Sequence, residues 1–176
     1  MEDEQGKTLE AIQFAIQMEI DGKEYYQKAS RESGNRVGRE LFDWLAAEED
    51  RHRQRFEDIY NIIKKQKAWP SVDIQPLKGD ILKTLFSEAM RAGSPPVKAT
   101  STELDAIAKA MEMENKTEKF YSSRGEEAVY DAEKKLYTSL AAEERGHYLA
   151  LVGYREYLID PAGWFRKVEH HSLDGG

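Results

Sequence analysis

Apolar positions recur at three- and four-residue spacing along four long segments, around residues 7–31, 36–67, 100–124 and 131–159. That is the period of a helix that buries one face. The first segment places Ile12, Ala15, Ile16, Glu19, Gly22 and Tyr26 on one stripe; the second places Leu41, Leu45, Glu49, His52, Phe56, Ile59 and Ile63. The third stripe is Ile107, Ala110, Met111, Glu114, Thr117 and Tyr121, and the fourth is Leu136, Leu140, Glu144, His147, Leu151, Tyr154 and Leu158. None of the five prolines interrupts these segments. Pro70, Pro76, Pro95 and Pro96 lie between residues 68 and 99, and Pro161 follows the fourth segment. Proline removes a backbone donor and clashes inside a helix, so its absence predicts four unbroken helices. Ser33-Gly34-Asn35 reads as a turn and cap before the second helix. Lys64, Lys65 and Lys67 set cations at the negative end of its dipole.

Residues 68–99 form a connector, in which Ile81, Leu82, Leu85, Phe86 and Met90 have helical spacing. A hairpin needs far fewer residues, so the connector predicts a crossover with a short amphipathic helix lying across the bundle. The expected fold is therefore all-α: a four-helix bundle of two helical hairpins joined by a long crossover, spanning residues 1–160. Residues 161–176 then form a C-terminal tail, with Trp164 and Phe165 pinning it to the bundle.

The two halves repeat with an offset of 95. Leu45-Ala46-Ala47-Glu48-Glu49-Asp50-Arg51-His52 returns as Leu140-Ala141-Ala142-Glu143-Glu144-Arg145-Gly146-His147. Each copy holds Glu-x-x-His, which puts Glu and His one turn apart on one helix face. The same offset carries Glu19 to Glu114 and Tyr26 to Tyr121. A Glu-rich wet surface is the ordinary explanation of such a motif, but Glu49 and His52 share a stripe with Leu45 and Phe56. The charges interrupt the core face. Four unpaired carboxylates there would cost several kcal/mol each, and no Lys or Arg shares these stripes near them. Two divalent cations balance Glu19, Glu49, Glu114 and Glu144, with His52 and His147 completing six ligands. Oxygen-rich donors with only two imidazoles suit iron or manganese better than copper.

Composition narrows the field further. There is no cysteine, which removes disulfides, thiolate zinc sites and Cys-ligated iron centres. Two of the four histidines occupy the motif; His170 and His171 lie in the tail and read as a surface pair. The net charge of −7 opposes binding to nucleic acid or anionic membrane. No run of about 18 apolar residues offers a bilayer span. The acidic start Met1-Glu2-Asp3-Glu4 lacks a secretion signal, so a cytoplasmic location is expected.

The chain resembles the rubrerythrin branch of the ferritin-like di-iron superfamily over nearly its whole length. The resemblance is carried by Met18-Glu19, Leu45-Ala-Ala-Glu-Glu49-x-x-His52, Met113-Glu114 and Leu140-Ala-Ala-Glu-Glu144-x-x-His147. It implies two iron ions, with manganese or zinc as substitutes. By the same resemblance, Glu49 and Glu144 bridge the pair, Glu19 and Glu114 are terminal ligands, and His52 and His147 bind one ion each. Tyr26 and Tyr121 are either core packing or hydroxyls bonded to a bridging carboxylate. Two departures stand out. Rubrerythrins commonly carry a further glutamate at the place of Thr117, and they often carry a Cys-rich rubredoxin module, absent from this cysteine-free chain. Thr117 and its offset partner Gly22 are both small, which predicts either open space beside the metals or close helix packing. The open-space reading implies a symmetric six-ligand centre without a seventh carboxylate such as Glu118.

The implied activity is reduction of hydrogen peroxide by a di-iron centre, with electrons from an external reductant such as a rubredoxin-type protein. Dioxygen is the other candidate oxidant. Iron oxidation for storage and a non-catalytic metal-binding bundle are the alternatives. Phe14 and Trp44 lie about 140° around their helices from the glutamates at 100° per residue, whereas their counterparts Lys109 and Ser139 are polar. That extra apolar face needs a cover, either the connector or a second subunit. A homodimer or larger assembly is expected, and sizing by light scattering checks it. Phe14→Glu combined with Trp44→Glu should disrupt the assembly or the fold; unchanged size and stability would refute burial of either kind.

Overall fold

The computed structural model describes residues 2–66, 68–70, 84–85, 87–88, 99–164 and 166–167, with side chains described from residue 6. Four long helices carry almost all of this: α1 (Glu2–Glu32), α2 (Arg36–Gln66), α3 (Ser101–Glu127) and α4 (Asp131–Ile159). They fall where the apolar periodicity placed them, with α1 beginning earlier and α3 ending later than expected. No strand occurs among the described residues. No helix among them is long and apolar enough to cross a membrane.

Local chemistry accounts for the helix starts. Asn35 Oδ1 accepts from Gly38 N at 2.7 Å, and Thr100 Oγ1 accepts from Glu103 N at 3.2 Å. Each satisfies a backbone donor that the first turn leaves open. Lys64 and Lys65 occupy the last turn of α2, opposite in sign to its dipole end.

Close backbone approach is concentrated within the α1–α2 and α3–α4 hairpins, and larger side chains fill the space between them. The pairing also sets direction. Tyr26 reaches Glu114 while Tyr121 reaches Glu19, so α1 and α3 run antiparallel. Phe42 meets Tyr154 and Phe56 meets Tyr137, so α2 and α4 are antiparallel too. Helices α2 and α3 therefore point the same way, and the chain joining them must return along the bundle. This is the crossover expected from the connector's length. Of the expected helix around Ile81–Met90, Thr84, Leu85, Ser87 and Glu88 are described and helical, and Leu85 is buried in the core. The rest of it lies outside the described residues, as do Phe165, His170 and His171.

The stripes are the core. Every member is buried except Ile16, Met111 and Thr117, which are half-buried. Apolar residues form two clusters, one with Tyr26, Phe42, Leu45, Ile107 and Tyr154, the other with Phe56, Tyr121, Leu136, Tyr137 and Leu140. The polar members of the stripes separate them. Trp44 finds its cover inside the chain: it is half-buried and meets the His147 ring edge-on, centroids 5.3 Å apart. Phe14 is 51% exposed and packs on Phe120. After Ile159 the chain does not simply stop being helical. Asp160 Oδ1 accepts from Gly163 N at 2.9 Å and starts a further turn, which lays the buried Trp164 against Tyr157.

A buried polar knot ties the α1–α2 turn to the other hairpin. Glu103 Oε1 accepts from Ser33 Oγ at 2.8 Å, Asn35 Nδ2 at 2.9 Å and the Tyr154 hydroxyl at 2.7 Å. A Cβ at Gly38 would overlap the Tyr154 hydroxyl and Ser33 Oγ, so α2 needs glycine there for the knot to close. Tyr154→Phe leaves Glu103 and Asn35 each short of a partner in the interior. It should lower the unfolding free energy by about 1–3 kcal/mol in urea titrations; an unchanged midpoint would show the knot contributes nothing.

Candidate metal centre

Each helix stripe contributes its polar members to one layer of the bundle. Glu19 comes from α1, Glu49 and His52 from α2, Glu114 from α3, and Glu144 and His147 from α4. All six are buried, with both imidazoles fully inaccessible. They form two overlapping groups. Ligand atoms of Glu19, Glu49, His52 and Glu144 lie within 4.8 Å of one another, and so do those of Glu49, Glu114, Glu144 and His147. Glu49 and Glu144 belong to both groups, the position a bridging carboxylate occupies. The two imidazoles stack at 5.6 Å, 18° from parallel. The structure thus brings all six residues together in two sets of four.

The polar atoms test whether a cation fits. His52 Nδ1 lies 3.0 Å from Glu144 Oε1 and 3.6 Å from Glu19 Oε2, yet none of these three buried atoms has a hydrogen-bond partner among the described residues. Buried polar atoms are nearly always satisfied, and three orphans converging on one point call for an ion between them. In the second group His147 Nδ1 lies 3.2 Å from Glu144 Oε2 and 3.6 Å from both Glu49 Oε1 and Glu114 Oε2. Carboxylate oxygens and two imidazole nitrogens make a donor set suited to iron, manganese or zinc. The residues fit a pair of divalent cations.

Without cations, protons must balance the cluster. Burial, and then the neighbouring Glu144 and Glu19, push Glu49 well above the carboxylate range. Burial and Glu144 raise Glu114 to about 8 against the opposing pull of His147. Glu144 goes the other way: burial alone would raise it, but His52 and His147 together hold it low. Burial would strip both imidazoles of their protons, yet the carboxylates around them raise both well above the usual histidine value. Such opposed shifts within one cluster mark a functional site more often than a structural one.

The two tyrosines cross between the halves. Tyr26 donates its hydroxyl to Glu114 Oε1, and Tyr121 donates to Glu19 Oε1. Both reach the glutamates expected to be terminal rather than the two shared ones, because each lies two turns along a helix antiparallel to its partner's. Burial, reinforced by those carboxylates, raises both phenols far above 10 and keeps them protonated. The small residues differ in use. A Cβ on Gly22 would lie 3.4 Å from Glu49 Cγ and Cδ, so the room that glycine leaves is taken by Glu49 itself. The Thr117 hydroxyl bonds Met113 O of its own helix at 3.1 Å. Glu118 is half-buried and belongs to neither ligand group.

One residue was overlooked in the sequence. Glu143 Oε2 lies 2.9 Å from His52 Nε2, on the ring edge facing away from the cluster. Arg51 and Arg55 reach the same carboxylate at 3.2 and 3.4 Å. Burial opposes ionisation of Glu143, but His52 and the two arginines outweigh it and hold it below the usual range. The signal was present in the doubled glutamate of each repeat, where only the second was given a role.

None of the curated proteins matches this chain. A solved structure described as a hypothetical protein from Pyrococcus furiosus is similar to it. The two are 25% identical, with a TM-score of 0.64, over 86% of this chain and 90% of that one. The rubrerythrin family model matches residues 10–153, which take in most of α1 and α4, all of α2 and α3, and all six candidate ligands. The chain belongs to the rubrerythrin family.

Proposed function

We propose that this protein is a di-iron oxidoreductase that reduces hydrogen peroxide. The observation that carries the reading is the convergence of four buried carboxylates and two histidines in two overlapping sets. A ferrous pair held by these residues would supply two electrons, one per ion, which with two protons convert one peroxide into two waters. Glu49 and Glu144, which belong to both groups, would hold a cation on either side. Tyr26 and Tyr121 fix one oxygen each of Glu114 and Glu19, leaving the second oxygen directed into the cluster. Their raised pKa values suit them to donate hydrogen bonds rather than protons. The apolar clusters to either side keep bulk water from the layer. The electrons would be restored by a reductant of the rubredoxin type, since the bundle itself has no cysteine with which to hold such a centre.

The test is anaerobic loading with ferrous iron followed by peroxide or by dioxygen. Loss of one peroxide per two irons, faster than the reaction with dioxygen, is the expected result. Rapid reaction with dioxygen alone, together with retention of many irons per chain, would favour iron handling. Glu49→Ala and Glu144→Ala should each lose most bound metal from both positions, measured after dialysis. Metal content equal to wild type in both variants would sink the bridging assignment.

The metal-free protein should have a distinctive pH dependence. Glu114 keeps its proton up to about 8 in the folded state and releases it near 4.5 when unfolded. His52 and His147 likewise keep their protons above the ordinary 6.5. Folding therefore takes up protons across this window, and stability falls as pH rises through it. Glu144 contributes in the opposite sense, but only as pH falls below 4.5. Metal binding needs deprotonated ligands and so strengthens with pH. Calorimetry should show the metal-free melting temperature highest near about pH 5, and the gain on adding cobalt(II) widening towards pH 8. A melting temperature indifferent to cobalt at pH 8 would contradict a cation site.

A further inference from the structure

The pseudo-symmetry of the cluster fails behind the two histidines. His52 Nε2 is held by Glu143, itself buried and anchored by two guanidinium groups. The equivalent atom, His147 Nε2, is equally buried and has no hydrogen-bond partner among the described residues. The 95-residue offset names the missing partner as Glu48, since 48 plus 95 is 143. Glu48 is buried, but it pairs with Arg51 of its own helix instead of reaching His147.

The cause is legible in the repeat. Arg51 stands three residues after Glu48, one turn along the same face, and engages it there. The counterpart of Arg51 is Gly146, so no guanidinium on α4 competes for Glu143. Glu143 is left free to cross to α2, where His52, Arg51 and Arg55 meet it. An arginine in one copy and a glycine in the other thus convert two equivalent histidines into two unlike ones. Trp44 borders His147 instead, and an edge contact with an indole restrains a ring by packing without accepting its proton as a carboxylate does.

A carboxylate on the far nitrogen of a ligating histidine does two things. It fixes the tautomer, so that the nitrogen facing the metal carries the lone pair, and it raises that nitrogen's basicity. His52 has this support and His147 lacks it. We infer that Glu143 is a positioning residue that makes the two halves of the centre unequal. The half containing Glu19 and His52 holds its cation more tightly than the half containing Glu114 and His147. The inference rests on the metal-centre reading and adds an order to it: the His52 half fills first, and the His147 half is where a cation is lost or exchanged.

Anaerobic titration of the metal-free protein with cobalt(II), followed by visible absorption and calorimetry, tests it. Wild type should bind two ions in two separable steps. Glu114→Ala should abolish the weaker step and Glu19→Ala the tighter one, which assigns them. Glu143→Gln keeps the shape but removes the charge, and should weaken the tighter step by roughly 10–100-fold while sparing the other. Glu48→Gln should leave both steps unchanged. In the dicobalt protein each histidine Nε2 proton gives a paramagnetically shifted, exchangeable NMR resonance; Glu143→Gln should move one of these and Glu48→Gln neither. That readout is insensitive to a general loss of stability. Two indistinguishable steps in wild type would overturn the inequality, as would a weaker step that depends on Glu48. No cobalt bound at all would instead remove the metal-centre reading beneath it.

Discussion

Four carboxylates converge where water cannot reach them, and this constraint organises the rest of the molecule. An isolated buried charge costs several kcal/mol even after relaxation. A bundle that places Glu19, Glu49, Glu114 and Glu144 in one layer must bring compensating positive charge into that layer. Protonated His52 and His147 provide part of it, and protons on Glu49 and Glu114 reduce the demand. Divalent cations would meet it more fully and would also use the converging lone pairs that now lack partners. Fold and site are therefore one problem. The leucine, isoleucine and aromatic side chains above and below the layer supply the stability that lets it exist.

Topology sets how the layer is assembled. The crossing contacts place α1 antiparallel to α3 and α2 antiparallel to α4, so the two hairpins face each other about an approximate twofold axis. In this arrangement α2 and α3 run in the same direction, which the long connector permits. The crossing tyrosines lock this arrangement. Tyr26 and Tyr121 each bond a glutamate of the opposite hairpin, so a slip of α1 against α3 would break both bonds at once. At the far end of the bundle, the Ser33–Asn35–Glu103–Tyr154 knot fixes the same register by neutral and charge-assisted bonds.

Departure from symmetry arises outside the ligands. Gly22 gives way to Glu49, while Thr117 turns its hydroxyl back onto its own helix. Arg51 draws Glu48 away from α4, and Glu143 crosses to His52. Six candidate ligands that repeat faithfully thus acquire two unlike environments from the residues behind them.

The chain by itself determined the four helices and the crossover, and it named six candidate ligands that the structure brings together. The reason is that helical periodicity is local, and a charged residue inside an apolar stripe declares its direction without reference to a partner. The repeat did the remainder, since the Glu49–His52 pattern located Glu144 and His147 and the same offset linked Glu19 to Glu114. Only the tertiary structure decided which carboxylate each tyrosine would meet, because that depends on the antiparallel setting of α1 against α3. It alone showed that Gly22 makes room for Glu49 and that Trp44 lies against His147. It alone separated Glu143 from Glu48, which occupy equivalent positions in the repeat. Their fates diverge through competition among Arg51, Arg55 and His52 across two helices, and one-dimensional spacing does not encode such a competition.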